Sequence, residues 1–234
     1  MMFEKVRSKV LEVLIGSSNW HGINHIDRVF NTALKFADNE GGNRDIIGVA
    51  TLLHDVDDCK LFGEESGKNL PNARRIMNEC EIAPDVQNAV IDIIRTMGFS
   101  NALSGIRPTT LEGKIVSDAD MCDNGVAGII RVAEVGTAVR RKFFDRNLWP
   151  RLDEELTLEN YKDMKKSTTI NHLFEKTLRL RDYMMTESGK IQQIDNNYYI
   201  LLFLRQYFTE NNAPEWIEFL DKYLASHALD AWKK

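Results

Sequence analysis

The chain has 234 residues, 43% of them apolar and 28% charged, with only 14 Gly and 5 Pro. That is enough apolar material for a large compact domain, and it excludes a disordered, collagen-like or disulfide-scaffold protein. Thirty basic and 35 acidic residues give a net charge of −5 without a basic block, so a nucleic-acid duplex has no electrostatic footprint to meet.

Apolar residues recur at helical spacing along most of the chain. Ile26, Val29, Phe30, Ala33 and Ala37 form one amphipathic stripe, which Gly41-Gly42 interrupt. The run from Ile46 to Val56 is apolar nearly all round, as expected of a helix in the middle of a bundle. Pro84 opens a further helix with the stripe Val86, Val90, Ile93 and Met97, and Gly98 stops it. Thr109 and Glu112 have capping-box spacing ahead of a short helix carrying Ile115 and Asp118. Another helical run covers roughly Gly125 to Phe144, followed by an irregular excursion over 145–160. The pattern then predicts a long helix near Tyr161–Met185, one near Ile191–Phe208, and a last one opened by Pro214. No window alternates with period two for long enough to read as a strand. The expected fold is all-α: one domain over 1–234, with a core of about 18–185 and the helices of 186–234 packed on it. No apolar run reaches membrane-spanning length, so no membrane partner is expected. The N-terminal segment has no signal-peptide pattern, and Cys59, Cys80 and Cys122 are scattered without a C-x-x-C. A reducing cytoplasm is the expected location.

The chemistry concentrates in few residues. Of five histidines, His21 and His25 lie four apart, and His54 sits beside Asp55 at the end of the most apolar helix. An ionised Asp55 in a bundle core is costly unless it is paired or metal-bound. Asp118, Asp120 and Asp123 crowd a third segment, where dense like charge points to a cation. Imidazoles and carboxylates together suit one divalent ion, with Mn²⁺ favoured and Mg²⁺, Ni²⁺, Co²⁺, Fe²⁺ or Zn²⁺ also accommodated. Such an ion acidifies bound water and polarises a phosphoryl oxygen.

The order H…HD…D, carried by Asn24-His25-Ile26, His54-Asp55 and Asp118-Ala119-Asp120, resembles the HD-domain metal-dependent phosphohydrolase superfamily. The resemblance extends to its small bacterial YedJ/YpgQ-type members through His54-Asp55-x-x-Asp58-x-Lys60, the segment Asp118 to Arg131, and the stretch Ser167 to Asp182. It implies an HD-type helical bundle with additional C-terminal helices. By the same resemblance His25, His54, Asp55 and Asp118 are metal ligands, and Asp58 and Asp57 handle the attacking water. Arg28 and Lys60 would hold phosphate oxygens, with His21, Asn171, His172 and Lys176 on the substrate side. The first motif reads His21-Gly22 where the family has His-Asp, and Met121-Cys122 replace its basic-apolar pair, so the departures bear on substrate. No histidine lies between His54 and His172, which fits one metal and not two.

The expected function is metal-dependent hydrolysis of a small phosphorylated metabolite, most simply a nucleotide in a nucleoside triphosphate pyrophosphohydrolase reaction. The alternatives are nucleotide monophosphatase or phosphodiesterase action at the same site, or a non-catalytic metal- and nucleotide-sensing module. Tyr198, Tyr199, Phe203, Tyr207 and Phe208 recur at helical spacing, as core packing or as a homodimer contact.

Overall fold

A computed structural model describes residues 2–15, 22–152, 155–163 and 166–227, and these contain helices and no strand. None of the described helices is long and apolar enough to cross a membrane. The chain divides into two compact units, one of residues 1–123 with 185–189, the other of residues 124–184 with 190–234.

The first unit contains α1 (Met2–Leu14), α2 (Ile23–Glu40), α3 (Arg44–Leu53), α4 (Cys59–Phe62), α5 (Glu64–Asn69), α6 (Pro71–Glu79), α7 (Pro84–Thr96), α8 (Phe99–Leu103) and α9 (Leu111–Cys122). Its centre is α3, buried from Ile47 to Leu53, with α1, α2, α7 and α9 packed around it. The all-round apolar pattern requires this placement. At Gly48 an added Cβ would lie 2.5 Å from the Phe3 ring, so glycine is what lets α1 approach so closely. Asn43 caps α3 by accepting from the Asp45 and Ile46 N–H groups. The cap of α9 is Thr110, which accepts from Gly113 N, and not Thr109. Glu112 does not close a box there; it accepts from Asn43 N at 2.9 Å and so ties α9 to the start of α3.

The second unit contains α10 (Val126–Ala138), α11 (Leu158–Lys162), α12 (Thr169–Glu175), a 3-10 turn (Thr177–Tyr183), most of α13 (Glu187–Glu210) and α14 (Pro214–Ser226). Its core joins Ile170, Phe174, Ile200, Leu204, Phe208 and Trp216. Phe208 is therefore a core residue, whereas Tyr198 and Tyr199 are exposed. The long helix expected near Tyr161–Met185 is broken instead. Thr168 caps α12 by accepting from Asn171 N, and Lys176 leaves helical geometry at φ −123°, ψ −64°. A buried ion pair accounts for the rearrangement. Glu175 accepts from Arg151 Nε at 3.0 Å and Nη2 at 2.8 Å, and from Ser167 Oγ at 2.8 Å. Arg151 Nη1 also reaches the Asn160 carbonyl, so one guanidinium holds the irregular excursion to α12.

Removing one partner of a buried ion pair strands the other charge. Arg151→Ala is expected to lower unfolding stability by about 3–5 kcal/mol in urea denaturation. The double substitution Arg151→Met with Glu175→Leu should recover part of that loss. An unchanged midpoint for Arg151→Ala would deny the pair this role.

Candidate metal centre

Three helix ends meet in the first unit. His25 lies in the first turn of α2, His54 is the residue that ends α3, and Asp120 sits in the last turn of α9. His25 Nε2 and His54 Nε2 are 3.2 Å apart, and their ring planes are inclined at 70°. Asp120 Oδ1 is 3.4 Å from His25 Nε2 and 3.7 Å from His54 Nε2. Asp55 Oδ2 is 3.5 Å and 3.4 Å from the same two nitrogens. Both histidines and Asp55 are largely shielded from solvent. The C-termini of α3 and α9 add negative partial charge at this point.

The other ring nitrogens settle the tautomers. His54 Nδ1 lies 2.7 Å from the Thr51 carbonyl oxygen, which only accepts, so Nδ1 carries a proton and donates. His25 Nδ1 lies 2.7 Å from Asp123 Oδ2, and Arg28 grips that carboxylate with Nε at 2.7 Å and Nη2 at 2.8 Å. Asp123 is thereby held ionised, and His25 Nδ1 also donates. In the neutral rings both Nε2 atoms then present lone pairs to each other and to two carboxylates. The two imidazole nitrogens thus lie within 3.2–3.7 Å of each other and of two carboxylate oxygens. A cation or an added proton is needed to relieve this, and the nitrogen/oxygen donor set fits a divalent metal ion. His25, His54 and Asp120 each direct a ligating atom to the common point. Burial raises the Asp120 carboxyl; only with His25 and His54 protonated would their contact and charge outweigh burial and hold it well below the usual carboxylate range, so the carboxylate needs positive charge at this point.

The structure places one expected ligand, Asp118, away from the histidines. Asp118 is fully buried, but its Oδ2 accepts from Met185 N at 2.9 Å, Thr186 N at 2.7 Å and Thr186 Oγ1 at 2.8 Å. An α-helix turns residues two apart to nearly opposite faces, so only one of Asp118 and Asp120 can meet the histidines. Asp118 faces the start of α13, where an added Cβ at Gly189 would lie 2.5 Å from its Oδ2. Burial pushes its carboxyl up to about 6, against the hydrogen bonds from Thr186 and Met185 and with Glu40 adding to the rise.

The remaining expected residues are placed as follows. Asp57 is buried and caps α6: its Oδ1 accepts from Ser66 Oγ, Asn72 N and Asn72 Nδ2, and its Oδ2 from Ala73 N. Those four bonds engage both of its carboxylate oxygens. Asp58 caps α4 through Lys60 N at 2.8 Å and is part-exposed; the Lys60 side chain is exposed. Arg28 spends Nε and Nη2 on Asp123, which leaves Nη1 for another anion. Asn171, His172 and Lys176 belong to the second unit. There the Asn171 amide bonds Thr168 Oγ1 and the Leu148 carbonyl, a structural use, and His172 stacks on Tyr161 at 6.0 Å. His21 lies outside the described residues. Asp123 is a neighbour of His25 that the spacing alone did not single out; its signal was the third acid of the Asp118–Asp123 cluster, one turn beyond Asp120, where it reaches the other nitrogen of His25.

The HD domain family model matches residues 22–125, which include His25, His54, Asp55, Asp120 and Asp123. The uncharacterized protein YpgQ of Bacillus subtilis is 26% identical over 205 residues, 87% of this chain and 90% of YpgQ. A crystal structure from Lactobacillus plantarum has a TM-score of 0.77 at 29% identity, covering 91% of this chain and 97% of its own. A HD-superfamily hydrolase from Bacillus thuringiensis has a TM-score of 0.68 at 30% identity, covering 90% of this chain and 97% of its own. YpgQ in complex with ADP has a TM-score of 0.66 at 25% identity, covering 89% of this chain and 94% of its own.

Two substitutions separate the neighbouring acids. Asp120→Ala should abolish stoichiometric metal, measured by elemental analysis after dialysis. Asp118→Ala should keep the metal and lose about 1–3 kcal/mol of stability, because the N–H groups of Met185 and Thr186 are left without their acceptor. Metal retained by Asp120→Ala and lost by Asp118→Ala would reverse the assignment. Asp123→Ala should weaken metal affinity about 10–100-fold, the usual cost of losing a residue that orients a ligating histidine.

Proposed function

The chain belongs to the HD-domain superfamily, among its YpgQ-type members, and from that premise we propose that it is a phosphohydrolase dependent on one divalent metal ion and acting on a nucleotide. His25, His54, Asp55 and Asp120 are the proposed ligands. The observation that carries the reading is the convergence of two imidazole nitrogens and the Asp120 carboxylate on one point, with Asp55 beside both nitrogens, a set of donor atoms that a cation stabilises. Mn²⁺ is the favoured ion for this nitrogen and oxygen set, with Mg²⁺, Ni²⁺, Co²⁺, Fe²⁺ and Zn²⁺ as competitors. Bound there, such an ion lowers the pKa of a water and polarises a phosphoryl oxygen.

The protein's own residues supply the rest. Asp58 follows the His54-Asp55 pair by one turn, and one of its oxygens has no partner among the described residues. It is the proposed acceptor for the proton that the attacking water must release. Nη1 of Arg28 and the Lys60 ammonium offset the charge that builds on the phosphoryl oxygens. Asp123 holds the His25 ring with its Nε2 lone pair inward, a positioning role. That YpgQ crystallises with ADP supports a nucleotide as the ligand class. The proposed reaction is release of pyrophosphate from a nucleoside triphosphate.

The test is product analysis on metal-stripped chain reloaded with each divalent ion, across nucleoside mono-, di- and triphosphates. Pyrophosphate from triphosphates alone is expected. Asp58→Ala should retain bound metal while kcat falls about 10²–10⁴-fold, the usual worth of a general base. Undiminished turnover in that variant would remove Asp58 from the mechanism, and silence on every nucleotide with metal bound would contradict the substrate class.

A further inference from the structure

The second unit holds a cavity that the metal-centre reading does not use. Its volume is about 1050 Å³, at the upper end of sites that take small organic molecules, and its wall includes Arg140, Arg141, Lys142, Asp145, Leu148 and Asp163. The charges on that wall do not balance. Lys142 Nζ lies 2.8 Å from Asp145 Oδ2, and Lys166 Nζ lies 3.5 Å from Asp163 Oδ2, so each acid already has a lysine. Glu175, the buried acid of the same unit, is held by Arg151. Arg140 and Arg141 form no ion pair or side-chain hydrogen bond with a carboxylate among the described residues, and Glu175 acts on Arg141 only at longer range.

Arg141 carries the greater strain of the two. Its Nε is buried without a hydrogen-bond partner among the described residues. Burial opposes its charge, partly offset by Glu175. A guanidinium does not escape that opposition by losing its proton, so it calls for an acceptor. The backbone is also committed at this point. Arg140 stands at φ 55°, the left-handed region that favours glycine, in the turn that ends α10. That turn is closed by Arg140 N donating to the Thr137 carbonyl and Arg141 N to the Gly136 carbonyl at 2.8 Å. A glycine position is thus filled by arginine, and two consecutive arginines line one cavity.

We propose that this cavity is an anion site that takes the phosphoryl group of a small phosphorylated molecule, gripped by Arg140 and Arg141. Guanidinium forks match phosphoryl oxygens in pairs, and Leu148 and Val139 offer apolar wall to the remainder of the ligand. The proposal stands on residues of the second unit alone and does not depend on the hydrolytic reading.

Calorimetric titration of the chelator-treated full chain with inorganic pyrophosphate tests it. One saturable site per chain is expected, with affinity reduced about tenfold or more in Arg141→Gln and several-fold in Arg140→Gln, the scale of a lost charge-assisted contact. Asp120→Ala should bind pyrophosphate as the unsubstituted chain does. Arg140 is exposed, so its variant keeps the test decisive if Arg141→Gln fails to fold. Absence of saturable binding at millimolar pyrophosphate would overturn the proposal. So would unchanged affinity in Arg140→Gln, or loss of binding in Asp120→Ala, which would assign the anion to the histidine cluster.

Discussion

The 3.2 Å approach of His25 Nε2 to His54 Nε2 is the constraint around which the first unit is organised. Two neutral imidazoles do not choose to point lone pairs at each other. They are made to, because each ring spends its only N–H on an outward acceptor, the Thr51 carbonyl for His54 and the Asp123 carboxylate for His25. Arg28 in turn keeps Asp123 charged by a two-toothed grip. Free energy from packing and hydrogen bonding elsewhere is thus invested in a cluster that is complete only with a cation.

The placement of that cluster follows from the helices. The α3 helix is apolar on every face, so it lies at the centre of the unit, and its end carries His54 and Asp55 inward instead of to solvent. The α2 and α9 helices pack against it and bring His25 and Asp120 to the end of α3 that carries His54. Asp118, on the far side of α9, binds the backbone at Met185 and Thr186, so the helix that supplies one candidate ligand also anchors the start of α13. One short acidic segment therefore does three jobs: Asp118 anchors, Asp120 faces the histidines, and Asp123 orients.

Helix periodicity made the fold class readable, along with α2, α3, α7, α13 and α14, since stripes and breakers such as Gly98 and Pro214 act locally. The break between Tyr161 and Met185 was not readable, because it depends on Arg151 reaching Glu175 across 24 residues, and periodicity carries no information on such a pair. His25, His54 and Asp55 stood out by type and order. The choice between Asp118 and Asp120 needed the rotation of α9 about its axis, which spacing within a D-x-D triplet leaves open. Asp57 and Asp58 are adjacent and chemically identical in sequence; only the N-terminus of α6, arriving 15 residues later to take Asp57, tells them apart.

The central claim is a statement about protons and lone pairs, and nitrogen-15 NMR of the histidine side chains reads those directly. In chain loaded with stoichiometric Zn²⁺, His25 and His54 should each show a protonated Nδ1 and an unprotonated Nε2 shifted by the metal, and stripping the metal should change both Nε2 resonances and leave the Nδ1 protons in place. A proton on Nε2 with a bare Nδ1 in either ring, or Nε2 resonances indifferent to the metal, would contradict the account.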